Sequence, residues 1–254
     1  MSSVSINSKS VMKNKTMNGT TAVKDVIKEK KEQLSQTKDL MTVRGELALL
    51  VVLVINSLGV VMMLYSGSGI SAISSVPYAF SEVFPKISLG VWTDIFQMLL
   101  VFSLMIMRKK FVPQYLLSFI VGAGFGTGID IHETWVHTLP LTLPLRVCYF
   151  LAGYLLISIG IALSNRCKMP IIPTDLFPRE LEDITKVKYS KIKISYDVIC
   201  LTITAILTFG CLGQVKGLGI GTVLAAFTMG KVIGKIGEGL DKKVKFVSVF
   251  EPGK

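Results

Sequence analysis

The residues able to do chemistry in this chain are few, and most are acids placed where acids are costly. Asp94 stands in "GVWTDIFQML" and Asp197 in "ISYDVICL", each a single carboxylate inside an apolar stretch. An ionised carboxylate in hydrocarbon is expensive, so each must face a partner, water or a pathway. Lys193 lies one helical turn before Asp197 on the same face, and Arg146 and Lys216 are the candidate partners of Asp94. With Asp175 and Pro77 of two long connectors, Asp94, Asp197 and Arg146 form the candidate solute or proton pathway.

A second group, Asp130, His132 and Glu133 with His137 nearby, lacks the i, i+4 histidine pair of a helical metal site, and no metal is expected there. Cys148, Cys167, Cys200 and Cys211 form no Cys-x-x-Cys pair and read as small apolar fillers. No Ser-His-Asp order, nucleophile elbow or paired catalytic acids occur, so neither an enzyme nor a cofactor is expected.

The elements that must hold these residues are membrane helices. Half of the 254 residues are hydrophobic, and the mean hydropathy is +0.57. No charge falls between Leu47 and Phe80, and further charge-free runs recur along the chain. A helix needs about 20 apolar residues to cross the hydrocarbon core, and six spans fit: 45–66, 90–107, 111–130, 145–164, 194–211 and 214–233.

The net charge of +11 is a matter of topology. Of 28 basic residues, 25 lie in residues 1–44, 108–110, 165–193 and 231–254, the alternate loops of a six-span chain. The positive-inside rule then puts both termini on the cytoplasmic side of the membrane. Nucleic-acid binding is not needed to explain the charge.

Residues 1–43 read as a cytoplasmic basic tail. Its start is too polar to order itself, and a weak amphipathic helix follows from Thr21. Residues 44–140 form a first membrane repeat, 141–240 a second, and 241–254 a C-terminal tail. The repeat comes from self-similarity: shifted by 101 positions, "SLGVVM" at 57–62 falls on "SIGIAL" at 158–163, Ile70 on Ile171 and Glu82 on Asp183. Pro77 has two mates open to it, Pro178 and Pro173. Three spans per half is an odd number, so the halves enter the membrane from opposite sides. The expected fold is an all-α polytopic membrane protein in two inverted-topology three-helix repeats, a plan that places a site between the halves.

The stretch "GLGIGTVLAAFTMGKVIGKIGEGL" at 217–240 has the glycines of a phosphate loop but no strand before it, and its helix is apolar. Small residues spaced by four let membrane helices approach closely. Gly217 with Gly221, Gly230 with Gly234, and Gly122 with Gly126 are therefore read as packing glycines.

These residues resemble the bacterial YczE/YyaS/YitT family of integral membrane proteins, nearest to its YczE type. The resemblance rests on "PTDL" at 173–176, "SYD" at 195–197, "GLGIGTVLAAFTMGK" at 217–231, and "SSVPYAF" with "SLGVWTD" as a degenerate first copy. It covers roughly residues 45–240 and implies membrane class and architecture, with no established substrate. The expected role is a transporter or binder of a small-molecule solute in the lipid bilayer. The alternatives are a scaffold acting through a membrane partner protein or as a homo-oligomer, and a substrate-binding subunit of a larger complex.

Overall fold

The computed structural model describes residues 41–109, 113–167 and 169–247. The basic tail with its amphipathic stretch, up to residue 40, and residues 248–254 lie outside the described residues. Eight helices run in order among the described residues: α1 (Gly45–Tyr65), α2 (Ala72–Val83), α3 (Leu89–Arg108), α4 (Pro113–Val136), α5 (Leu143–Ser164), α6 (Pro173–Thr185), α7 (Tyr189–Leu212) and α8 (Ile220–Asp241). This is an all-α polytopic membrane protein. Among the described residues the strands form a parallel ribbon of β1 (Met41–Arg44) with β2 (Val244–Val247), Met41 opposite Val244. The ribbon ties the start of α1 to the end of α8.

Five helices, α1, α3, α5, α7 and α8, are long and apolar enough to cross a membrane. α4 has the length, 24 residues, or about 36 Å of helix; its last turns carry Asp130, His132 and Glu133. The spanning helices show large apolar side chains on their outer faces, among them Leu50, Phe102, Leu151, Ile206 and Phe227. In water such a surface would be a liability, whereas lipid solvates it.

Each short helix follows the first long helix of its half, and its start is set by local chemistry. Ser71 caps α2 by accepting from the Ser74 N–H at 3.4 Å. Pro173 opens α6 at the position where its missing N–H costs nothing. Ala72 and Pro173 are 101 residues apart, so the shift fixed on the long helices holds through the connectors and pairs Pro77 with Pro178.

The helix packing repeats this relation. α1 packs on α5; α2 on α7 as α6 on α3; α1 on α4 as α5 on α8; α3 on α4 as α7 on α8; α2 on α3 as α6 on α7; and α2 on α8 as α6 on α4. Every well-packed helix pair among the described residues has its mate, which is the signature of a pseudo-two-fold axis through the α1–α5 crossing. The end of the bundle bearing the ribbon is called the terminal face below.

That crossing is built from glycine. A Cβ on Gly59 would fall 2.8 Å from Ile157 Cγ1 and 3.0 Å from the Gly153 carbonyl, and one on Gly160 would overlap Asn56. Under the 101 shift Gly59 maps to Gly160 and Asn56 to Ile157, so the two contacts are images of each other. Ser57 and Ser158, also mates, are fully buried. Each donates its hydroxyl to the carbonyl one turn back, Leu53 and Tyr154 at 2.7 Å, so neither polar group is left unsatisfied.

Candidate functional site

A cavity of about 30 Å³ lies on this axis. Its walls are Asn56 and Val60 of α1, Ile157 and Ile161 of α5, Ser71, Ile73 and Ser74 at the start of α2, and Ile172, Thr174 and Asp175 at the start of α6. These ten residues are five pairs at a spacing of 101. Phe125, Met229 and Lys193 complete it. The volume holds about two water-sized bodies.

Because residues in the body of α1 and α5 face the same space as the starts of α2 and α6, both connectors turn back between the long helices. Neither lies flat on the surface. Irregular backbone is tolerated there because protein encloses it. The connector 66–71 is held by the entry to α8: Ile70 N–H donates to the Gly217 carbonyl at 3.2 Å and Gly221 N–H to the Ser68 carbonyl at 3.0 Å. Gly69 and Gly217 have φ of +115° and +74°, and a Cβ on Gly217 would strike the Tyr78 ring. Only glycine serves at both positions.

Asp175, expected from sequence as a pathway residue, lines the cavity as the third residue of α6. It is 6% exposed, and its Oδ2 has no hydrogen-bond partner among the described residues. Lys193 also lines it, with its Nζ turned to both oxygens of Asp197 at 2.5 and 2.6 Å. The pair is buried, 3% and 1% exposed. The cation one turn before Asp197 is thus its partner, as the spacing indicates. Pro77 and its mate Pro178 stand one turn behind the cavity, in α2 and α6. Each lacks the N–H that would bond the carbonyl four residues back, those of Ile73 and Thr174, two cavity residues.

Asp94 lies off the axis, against Gly126 on the side near Asp130. Neither expected cation reaches it. Lys216 pairs instead with Glu82 at 2.7 Å. Arg146 is exposed, its guanidinium 3.2 Å from where a Cβ on Gly67 would stand. Arg146 is in the first turn of α5 and Lys216 in the connector between α7 and α8, and each is turned to a different neighbour, Gly67 and Glu82. Asp130 is occupied locally: it accepts from Gly90 N–H at 2.9 Å and from the Ser88 hydroxyl at 2.8 Å, capping α3.

The glycine expectations divide. Gly122 and Gly126 press on Gln97 and on Asp94, and Gly217 and Gly221 on Tyr78 and Phe150. Gly230 makes only ordinary contact with Lys193, and Gly234 has open space beside it. Gly230 and Gly234 are therefore not close-packing positions, because α8 turns that face toward the start of α7 and away from a long crossing. The last helix also begins at Ile220 and not among residues 214–217, since Gly213 and Gly217 both take left-handed turns there.

Sequence reasoning passed over Asn56, Gln97 and the α1–α5 glycines. Gln97 is fully buried with both amide atoms unpartnered among the described residues. The available signal was an amide inside a charge-free run, which carries the same desolvation argument as a carboxylate. It also passed over a second mirrored device. Arg108 at the end of α3 pairs with Glu180 of α6, which also accepts from the Tyr115 hydroxyl at 2.5 Å. Lys216, just beyond α7, pairs with Glu82 of α2. Each pair fastens a short helix to the far end of the other half's third helix, one at each face.

Such a bundle, with two short helices entering it from matching places in two pseudo-symmetric halves, is that of an all-α polytopic membrane protein. The chain belongs to a family of unknown function, DUF6198, whose model matches residues 43–238. No curated protein and no solved structure matches it.

Proposed function

We propose that this protein binds and moves a small solute in the cavity between its two halves. The observation carrying the reading is that the cavity lies on the pseudo-two-fold axis and is walled by five residue pairs exchanged by that axis. An inverted pair of halves can expose such a space to one face and then the other by rocking. With about 30 Å³ the space fits water-sized contents, so a larger solute requires the short helices to part from the long ones.

Where the basic segments are described they lie toward the terminal face, Arg44 in the ribbon, Arg166 on Asp241 at the end of α8 and Arg108 on Glu180 of α6. This supports cytoplasmic termini, and a bacterial inner membrane is the setting proposed with them. Kinship with the YczE/YyaS/YitT proteins is part of the same proposal. Its support is that "PTDL" is the cavity-facing start of α6.

The test is a thermal-shift screen of the purified protein against small metabolites and inorganic ions. A specific ligand raises Tm with the logarithm of its concentration, and filling the cavity with Ser74→Phe removes that shift while the protein still folds. Should no compound shift Tm up to saturating concentrations, the solute reading falls.

A further inference from the structure

The charges around the cavity do not balance. Lys193 gives its charge to Asp197, which holds it with both oxygens. Asp175 is left more than nine-tenths buried, with an unpartnered oxygen and no cation of its own among the residues lining the space. The start of α6 offsets part of this negative charge, since a helix N-terminus carries about half a positive unit. One small positive charge remains to be supplied.

The walls say what form it takes. The polar side chains besides Lys193 are the carboxylate of Asp175, the amide of Asn56 and the hydroxyls of Ser71, Ser74 and Thr174. Hard oxygen donors of this kind suit hydrogen ions and hard metal cations and not soft ones. A single uncompensated carboxylate matches one unit of charge and not two, and about 30 Å³ excludes an organic cation. A polyatomic anion would double the imbalance.

We propose that Asp175 is the binding site for one monovalent cation, a proton or a sodium ion, held on the axis between the halves. This deepens the solute-binding reading and rests on it only for the cavity's purpose. Loading the site neutralises Asp175 and lets the starts of α2 and α6 close on each other, while unloading leaves a buried charge that drives them apart. Such a difference between states is what couples an ion gradient to movement.

The groups facing Asp175 are consistent with titration in the neutral range. From α7 these are Lys193, with Asp197 behind it, and the hydroxyls of Tyr189 and Tyr196. From α3 and α4, Arg108 and Tyr115 meet α6 at Glu180, farther along the helix from Asp175. Among the residues lining the cavity from α1, α2, α5 and α8 none is charged. Burial pushes the Asp175 carboxyl up to about 7, with Lys193 pulling it down. An acid whose pKa is higher folded than unfolded favours the fold at low pH, and that advantage is lost as pH rises from about 4 to about 7.

The experiment uses the full chain in detergent with no solute present. Wild-type protein is treated with dicyclohexylcarbodiimide, which attacks protonated buried carboxyls, and modification of Asp175 is read by mass spectrometry. Between about pH 5 and about pH 9 in choline chloride, labelling falls by about tenfold or more. At fixed pH, sodium replacing choline lowers it further if sodium shares the site, and leaves it unchanged if the proton alone does. Labelling that is constant, or absent at every pH, and indifferent to sodium overturns the proposal. In parallel, Asp175→Asn reduces the pH dependence of Tm in this window. An undiminished dependence in a folded Asp175→Asn protein also overturns it. A failed solute screen leaves a titrating Asp175 standing, and flat labelling leaves any solute hit standing.

Discussion

At the scale of the residue, the buried ion pair Lys193–Asp197 is the most exacting feature. Two charges at 3% and 1% exposure are costly to desolvate, and their attraction repays that cost only while both are present. Lys193→Met is therefore expected to destabilise the protein by about 3–5 kcal/mol, because it strands Asp197. Lys193→Met with Asp197→Leu is expected to recover most of the loss. Thermal unfolding of the detergent-purified variants measures both, and equal damage from the single and double changes would contradict the pairing argument. Asp197 and its lysine were legible in the sequence because helical spacing puts i and i+4 on one face. That neither expected cation reaches Asp94 was not legible, because which cation meets a carboxylate depends on how the elements fold together.

At the scale of the element, glycines that look alike in sequence do different things. Gly59 sits at the α1–α5 crossing with backbone and Ile157 within van der Waals range, whereas Gly234 faces open space. Gly59→Val overpacks a contact between two backbones and is expected to cost about 1–3 kcal/mol or more. Gly234→Val, on the same measurement, should stay within about 0.5 kcal/mol of wild type, as surface changes do. A large effect at Gly234 with none at Gly59 would reverse the assignment of the close crossing. The four-residue spacing marks a face of small residues; it does not say whether another helix lies on that face.

At the scale of the whole molecule, the two halves are related by a shift of 101 residues from α1 through α2 and from α5 through α6. Phe84, at the end of α2, and Thr185, at the end of α6, are both exposed and occupy matching places in their halves. In an inverted repeat they lie on opposite sides of the membrane. On a background with Cys148, Cys167, Cys200 and Cys211 replaced, Phe84→Cys and Thr185→Cys are expected to react with a membrane-impermeant maleimide from opposite sides of oriented vesicles. Labelling of both from one side would make the halves parallel and remove the argument for a midplane site. The mirrored pairs Arg108–Glu180 and Lys216–Glu82 then hold one short helix at each face.

The sequence by itself determined the long apolar helices, the charge asymmetry between alternate loops, and the repeat, because hydropathy, charge and self-similarity are properties of residues in order. It also marked Asp94 and Asp197 as acids in need of an explanation and Asp175 as a pathway candidate. Only the tertiary structure decided that the short helices turn inward to meet on an axis, that Lys193 is spent on Asp197 while Asp175 is not compensated, and that Asp94 stands apart. Those facts depend on which faces of eight helices come together, and a face acquires its meaning from the neighbour that covers it.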